Sequence, residues 1–215
     1  MKYKMVIFDL DGTIVDCEDS IWSVFHEHFE TDKEMRDELK RKFLEGKISY
    51  KEWVELDVGE MKKKNANKNT FLEAMKNVKL VDGAIETLEE LKSRGYKLAV
   101  VSGSLSIVID YFSLNNFFDD ILVNKILFDE KGNVAKSEHT PFDFENKKDG
   151  LYHLTKKFDM KPEECVFIGD NFNDVSIAKS VGLSIAFNPK DKELEKISNV
   201  VIKKKDLREV LKFIQ

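Results

Sequence analysis

The sequence predicts an α/β protein, with a doubly wound, Rossmann-like parallel sheet and a small helical cap domain inserted after strand 1. Three observations lead to this fold class. Short, continuously apolar runs recur along the chain, amphipathic segments of helix length separate them, and one stretch near the N-terminus contains helical patterns only. Apolar runs without alternation are typical of strands covered on both faces, and strand–helix alternation builds parallel sheets.

The apolar runs predict five strands, at 5–8, 97–101, 165–169, 183–187 and 199–202. Apolar residues at helical spacing predict helices at 83–95, 149–158, 173–182 and in the tail 206–215. A hairpin is predicted over 121–136, because a turn-forming stretch that ends in Gly132 separates two apolar runs. Together these elements alternate as a doubly wound domain requires.

Residues 17–80 interrupt the alternation, because they show no convincing strand. Three or four helices are predicted there, at 18–30, 33–45, 49–63 and 69–78. An insert directly after the first strand would lie over the carboxyl end of that strand, where open α/β sheets bind ligands. We therefore expect a core domain of residues 1–16 and 81–215 and a helical cap of residues 17–80.

Composition limits the classes of function. The 215 residues carry a formal net charge of −5, so no global basic surface for nucleic acid is expected. Cys17 and Cys165 form no metal or disulfide motif, and no apolar run approaches the length of a membrane span. The N-terminus fails as a signal peptide, since its apolar run is brief. We expect a cytoplasmic protein, monomer or homodimer, with neither nucleic-acid nor membrane partners.

The stretch VIFDLDGTIVD, residues 6–16, carries the strongest chemical signal. Asp9 and Asp11 end a strand predicted to be buried, and burying two unpaired carboxylates is costly. Two such groups can converge on a hard cation, and a carboxylate beside the cation is a competent nucleophile toward a phosphoryl group. Gly12 allows a tight turn whose amide can approach phosphate oxygens. The alternative is an ordinary turn at a strand end.

A second acidic cluster, GDNFND at 169–174, also follows an apolar run. If the two strands are neighbours, Asp170 and Asp174 join the first aspartates in one patch, which Mg²⁺ would neutralise. The alternative is that Asn173 or Asp174 only caps a helix, although capping is compatible with catalysis.

Hydroxyl, amide and ammonium groups for a phosphate are also predicted. Ser102 and Gly103 follow the strand at 97–101 and precede a predicted helix, so they can form a phosphate cradle at its N-terminus. Lys147 shares the inward face of its helix with two leucines, whereas Lys148 points away, so Lys147 is favoured as the phosphate lysine. The histidines show no ligand spacing, and both tryptophans, Trp22 and Trp53, are expected in the core.

These motifs, in this order, resemble those of the haloacid-dehalogenase superfamily of aspartyl-phosphate enzymes. The resemblance covers the whole chain and implies that Asp9 is the nucleophile and Asp11 the general acid and base. It implies that Mg²⁺ is held by Asp9, the backbone carbonyl of Asp11, and Asp170, with Asn173 and Asp174 supporting the metal shell. It also assigns the phosphate to Ser102 and Lys147. The four motifs that carry the resemblance are DLDGT at 9–13, Ser102 after KLAVV, Lys147 before a predicted helix, and GDNFND at 169–174.

Within the superfamily the chain is similar to the phosphoserine-phosphatase branch, through FLEGKISY, LEELKSRGYKLAVVSG and GDNFNDVSIAKSVGLSIAF. That resemblance implies that Glu18, seven residues after Asp11, contacts a substrate amino group. It also implies an arginine for the substrate carboxylate, but the corresponding position, eleven after Gly46, is Asp57. An aspartate repels a carboxylate. Glu18 and Asp57 are therefore expected to favour a cationic or polyhydroxy leaving group.

The expected function is Mg²⁺-dependent hydrolysis of a phosphate monoester of a small metabolite, with a helical lid that selects the leaving group. Three alternatives remain. One is a phosphatase of the same fold for phosphocholine, phosphoethanolamine or a sugar phosphate instead of phosphoserine, and another is a phosphotransferase. The third is a phosphorylation-receiver module, which lacks a large helical insert and has its acidic pair adjacent rather than spaced as DxD.

Overall fold

The structure, a computed structural model, describes residues 2–215 apart from the side chain at position 145; residue 1, in the predicted core range, lies outside them. The strands of the described residues are β1 Met5–Phe8, β2 Val15–Asp16, β3 Lys79–Leu80, β4 Lys97–Leu105, β5 Asp120–Phe128, β6 Val134–Glu138, β7 Cys165–Gly169, β8 Leu183–Phe187 and β9 Val200–Ile202. The α-helices are α1 Ile21–His28, α2 Lys33–Leu44, α3 Tyr50–Lys63, α4 Lys68–Ala74, α5 Ala84–Ser93, α6 Ser106–Tyr111, α7 Lys147–Lys157, α8 Val175–Ala178 and α9 Lys192–Ile197. Short 3₁₀ turns cover Met75–Asn77, Leu114–Asn116, Phe144–Asn146, Pro162–Glu164, Phe172–Asp174 and Leu207–Lys212.

The central sheet has seven strands in the order β6-β5-β4-β1-β7-β8-β9. All neighbours are parallel except β5 and β6, which form the predicted hairpin. The doubly wound α/β fold is therefore confirmed. Strand β1 lies between β4 and β7. The chain first builds the sheet on the β4 side of β1 and then crosses to build the β7 side, so the carboxyl end of β1 is the switch point where such sheets bind ligands.

Strand β1 is buried on both faces, as its unbroken apolar sequence requires. Val6 and Phe8 belong to the larger hydrophobic core, which extends to the helical insert, while Met5 and Ile7 pack with α7 and α8 on the opposite face. Because both faces are covered, the polar residues that follow β1 are fixed at the edge of a rigid layer.

Each helix of the insert begins after a polar residue whose side chain accepts a hydrogen bond from the first turn: Ser20, Asp32, Ser49 and Asn67. The four helices lie where the sequence predicts them. The prediction that 17–80 contains no strand is wrong at its end, because Lys79–Leu80 pairs antiparallel with Val15–Asp16. Two residues are too few to show a hydrophobic pattern typical of a strand. The pairing arises because the segments that enter and leave the insert lie side by side.

Three local predictions also need correction. Strand β4 continues through Ser102 and Gly103 to Leu105, so these residues lie in the strand and not at a helix N-terminus; Leu105 pairs with Asn124 after a shift of register. The segments predicted as helices at 173–182 and 206–215 form only a short helix α8 and a 3₁₀ turn at Leu207–Lys212. Short pieces fixed at both ends by neighbouring elements commonly adopt such tighter turns.

Among the described residues, no helix is long and apolar enough to cross a membrane.

Candidate active site

The ends of β1, β4 and β7 and the start of α7 meet at one buried point. Lys147 Nζ lies 2.9 Å from Asp9 Oδ1 and 2.6 Å from Asp174 Oδ1, and the lysine side chain has no exposed surface. Lys148 is exposed, so the structure places Lys147 and not Lys148 in the site, as the helical spacing indicates. Burial by itself lowers the pKa of a lysine, but the charges of Asp174 and Asp9 outweigh it and raise the pKa of Lys147. The ammonium therefore stays charged.

Carboxylate oxygens of Asp9, Asp170 and Asp174 lie within 4.8 Å of one another, and all three residues are buried. The oxygens of Asp174 are engaged, because Oδ1 accepts from Lys147 and Oδ2 accepts from the amides of Asp170 (2.8 Å) and Asn171 (3.0 Å). Asp174 is thus held as a support for the other two carboxylates.

Asp170 is the least satisfied of the three. Its Oδ1 accepts a long hydrogen bond of 3.4 Å from Thr13 Oγ1. Its Oδ2 is buried and forms an ion pair with Lys190 Nζ at 2.9 Å, but no backbone amide or hydroxyl group donates to it. Burial, followed by the charge of Asp9, raises the pKa of Asp170 to about 7. A hard divalent cation fits this donor set, since it would bind the closely spaced carboxylate oxygens and remove the repulsion between them.

Gly12 forms the tight turn after the first aspartates, with a φ of +79°. A Cβ there would lie 2.2 Å from Asp170 Oδ2, so both conformation and space require glycine. The Gly12 amide donates to the carbonyl of Val15 at 2.8 Å. The amide thus has a partner within the turn, and its contact with a phosphate stays a prediction.

Asp11 lies between the core and the insert. Its Oδ1 accepts from Ser104 Oγ at 2.8 Å, and its Oδ2 accepts from the amide of Ile21, the first residue of α1, at 2.9 Å. Burial raises its pKa to about 6, while the hydrogen bond from Ile21 opposes the rise. Asp11 is thus a carboxyl group that titrates near neutrality, as a general acid and base requires.

The end of β4 forms one wall of the site. Ser102 is buried, and its Oγ accepts from the amide of Ser104 at 3.2 Å. The carbonyl of Gly103 accepts from Trp22 Nε1 at 2.9 Å and from Asn124 Nδ2 at 2.6 Å. The wall is therefore fixed to the first helix of the insert and to the neighbouring strand β5.

A cavity of about 260 Å³ opens above Asp9 and Asp11 and extends to helices α1, α2 and α3. Asp57 lines it, as the sequence predicts, whereas Glu18 is exposed and is not among its lining residues. Asn173 also lines the cavity and donates from Nδ2 to Asp143 Oδ1 at 3.0 Å. The structure thus brings together every predicted site residue except Glu18.

Comparison with known proteins agrees with this geometry. Residues 3–182 match the family model of haloacid dehalogenase-like hydrolases. The phosphoserine phosphatase of Methanocaldococcus jannaschii is 32% identical over 222 residues, covering 100% of this chain and 99% of that protein. The chain belongs to the haloacid dehalogenase-like hydrolases.

Other relatives support the same assignment. The phosphoserine phosphatase of Wolinella succinogenes is 28% identical over 213 residues, covering 97% of this chain and 98% of that protein. A solved phospho-aspartyl intermediate analogue of phosphoserine phosphatase superposes with a TM-score of 0.77 at 28% identity, over the full length of both chains. The expectation of a phosphatase of this superfamily is confirmed.

Sequence reasoning missed several residues that line the cavity of this hydrolase. Trp22 and Trp53 were expected in the core but line the cavity, together with Tyr50, Asp143 and Phe144. One signal was present, because Tyr50, Trp53 and Asp57 are spaced i, i+3 and i+7 and so share one face of α3. Asp143 had no comparable signal, since its partners lie in other segments.

Proposed function

We propose that the protein is a Mg²⁺-dependent phosphomonoester hydrolase of a small metabolite that forms an aspartyl-phosphate on Asp9. The observation that carries the proposal is the arrangement of Asp9, which is buried beside the ammonium of Lys147 and clustered with the carboxylate of Asp170. A carboxylate held in this way is oriented and lines the cavity in which an ester can bind.

The reaction divides between two aspartates. The carboxylate of Asp9 attacks phosphorus and the bond from phosphorus to the ester oxygen breaks, while Asp11 gives its proton to that departing oxygen. Asp11 then removes a proton from water, which attacks the same phosphorus and restores the Asp9 carboxylate with release of phosphate. Lys147, with the hydroxyl of Ser102, stabilises the phosphoryl oxygens during both steps.

The residues that would hold Mg²⁺ are Asp9 and Asp170 through their carboxylates and Asp11 through its backbone carbonyl. When bound, the ion supplies positive charge to the phosphoryl oxygens and compensates the acidic cluster. Asp174 keeps Asp170 in place, because it accepts a hydrogen bond from the Asp170 amide, whereas Asn173 donates to Asp143 beside the site.

Further parts of the proposal are supported by the relatives. Since several are phosphoserine phosphatases, the substrate is a small phosphorylated metabolite of that kind, phosphoserine being one candidate. We place the enzyme in the cytoplasm as a monomer or homodimer without nucleic-acid or membrane partners. Phosphate transfer to another acceptor would use the same aspartyl-phosphate, whereas a receiver module would retain it.

The test is turnover of p-nitrophenyl phosphate. Wild-type protein with Mg²⁺ should release many equivalents of phosphate per chain, and a chelator should stop the release. Asp9→Asn should abolish turnover and incorporation of labelled phosphate while leaving the folded spectrum unchanged. Asp16→Asn is the matched control, because this aspartate is exposed and lies outside the site. Release of a single equivalent, or activity of Asp9→Asn near wild type, would contradict the proposal.

A further inference from the structure

The part of the cavity above the catalytic aspartates is lined by aromatic rings, namely Trp22, Tyr50, Trp53, Phe144 and Phe172. Helices α1 and α3 contribute three of them, and the 3₁₀ turns before α7 and after β7 contribute the others. Ring centroids of Tyr50, Trp53 and Phe144 are 5.6–6.3 Å apart, so these three rings form one continuous aromatic wall. Aromatic faces in a desolvated site attract cations.

Asp57 adds a negative charge to this wall. The residue is only 7% exposed, and its Oδ2 lies 3.6 Å from His26 Nε2. Its Oδ1 is buried and, among the groups that the structure describes, has no hydrogen-bond partner. An unpaired carboxylate oxygen is costly to bury, and here it lies in a residue that lines the cavity. A cation bound in the cavity would balance the charge of this carboxylate.

Asp143 is a second buried carboxylate in the same cavity, also 7% exposed. Its Oδ1 accepts from Asn173, and its Oδ2 lies against Gly103, where a Cβ would come within 2.0 Å of it. Burial, then the charge of Asp143 and more weakly that of Asp57, raise the pKa of Tyr50. Both carboxylates therefore act on the phenol group of Tyr50.

Asp143 is already partly compensated, because the charge of Lys147 opposes the rise in the pKa of Asp143 that burial causes. The basic residues that line the cavity do not compensate Asp57 in the same way. His26 is already engaged, since its Nδ1 lies 2.7 Å from Thr31 Oγ1 and its Nε2 faces Asp57. Arg36 is half-buried and Lys40 is exposed, so both lie toward solvent, where water and salt screen their charges. Asp57 thus has no lysine or arginine partner among the described residues, while Arg36 and Lys40 lie at the outer edge of the cavity.

From this arrangement we infer that the leaving group of the substrate carries an ammonium and no carboxylate, as in the phosphate ester of an amino alcohol. The inference rests on the proposed function, because it concerns the alcohol released at Asp11. An ammonium would pair with Asp57 and Asp143 and contact the aromatic faces, whereas a carboxylate in this place would be repelled by both aspartates. A neutral polyol would leave the charge of Asp57 without compensation.

The decisive comparison uses a substrate and its uncharged isostere. Phosphocholine and 3,3-dimethylbutyl phosphate have the same shape and differ only in the positive charge. We expect wild-type kcat/KM to be about tenfold or more higher for phosphocholine than for the isostere. Phosphoethanolamine should exceed phosphoserine by at least a similar factor. Of the two ammonium esters, preference for phosphoethanolamine would show that N–H donation to Asp57 outweighs contact with the rings.

Variants connect this preference to the two carboxylates. Asp57→Asn and Asp143→Asn keep the shape of each side chain, so the ratio of kcat/KM for phosphocholine over the isostere should fall toward one in each. Glu55→Gln is the matched control, because Glu55 lies on the same helix but is exposed and pairs with Lys51. This control should keep the wild-type ratio. If a variant fails to fold, the comparison of substrates on wild-type protein still decides the inference.

The outcomes separate this inference from the proposed function. Hydrolysis of p-nitrophenyl phosphate with equal kcat/KM for phosphocholine and its isostere would overturn the inference and leave the hydrolase intact. Preference for phosphoserine would also overturn it, and would indicate that Arg36 and Lys40 bind a carboxylate. Release of no phosphate from any ester would contradict the proposed function itself, and the inference with it.

Discussion

Lys147 Nζ lies 2.6 Å from Asp174 Oδ1, and neither side chain has any surface exposed to solvent. Lys147 is the first residue of α7, and Asp174 ends the 3₁₀ turn after β7, so one ion pair joins two segments of the core. Asp174 in turn accepts the amide of Asp170. The same contact therefore fixes the ammonium beside Asp9 and orients the carboxylate of Asp170.

Removal of the Lys147 ammonium should affect both stability and catalysis. Lys147→Ala leaves Asp174 and Asp9 buried without their counter-charge, which should lower the free energy of unfolding by about 3–5 kcal/mol. Urea unfolding measures this loss, and phosphate release should fall at least about a hundredfold. Lys148→Ala is the matched control, since Lys148 is exposed. Equal stability of the two variants would show that the buried ion pair contributes little.

Asp11→Asn should distinguish leaving groups. An alkyl phosphate needs a proton on its departing oxygen, so kcat/KM should fall by about 10²- to 10⁴-fold when the general acid is removed. p-Nitrophenolate leaves without protonation, so kcat/KM for its ester should fall much less, and phosphorylated Asp9 should accumulate. Steady-state kinetics with both esters, together with a phosphate-trapping assay, measure the difference. An equal loss for the two esters would assign Asp11 a purely structural role.

Gly103→Ala should disturb the site without removing a functional group. The added Cβ would lie 2.0 Å from Asp143 Oδ2, so Asp143 must move and the cavity wall must change. We expect kcat/KM to fall about tenfold or more with an alkyl phosphate ester, as judged from steady-state kinetics. Wild-type activity of Gly103→Ala would place Asp143 away from the substrate.

Gly59→Ala should have the opposite effect on the protein. The added Cβ meets no atom within 4 Å and Gly59 lies inside α3, so the substitution should stabilise the protein by about 0.5–1 kcal/mol.

The metal-free protein should become less stable as the pH rises. Burial raises the pKa of Asp11 to about 6, of Asp174 to about 6 and of Asp170 to about 7. The unfolded chain loses these protons near pH 4, so the folded state binds more protons up to about pH 7, and stability falls across that interval.

Thermal unfolding in the presence of a chelator checks this sign, and the midpoint should be higher at about pH 5.5 than at about pH 7.5. Mg²⁺ should raise the midpoint more at the higher pH, because it binds the ionised carboxylates. Asp170→Asn should reduce both the decline and the response to Mg²⁺. A midpoint of the metal-free protein that rises with pH over this interval would contradict the assigned pKa directions.

Much of the fold and half of the site could be predicted from local sequence. Strands β1, β7 and β8 lie where their apolar runs indicate, because strands covered on both faces need no alternating pattern. The spacing of Lys147 with the buried leucines of α7 was enough to choose it over Lys148. The extension of β4 through Ser102 was not predictable, since it depends on pairing with β5 after a shift of register.

By itself, the sequence determined the strands of the sheet and the aspartates that follow them. Both are local signals, since an apolar run and the aspartates that follow it lie within a few residues of one another. Only the tertiary structure decided what surrounds the leaving group. Asp57 comes from the helical insert and Asp143 from the loop before α7, and they share a cavity because the insert folds over the carboxyl end of β1. Glu18, which is nearer to Asp11 in sequence, remains outside that cavity because the chain turns it toward solvent before α1 begins.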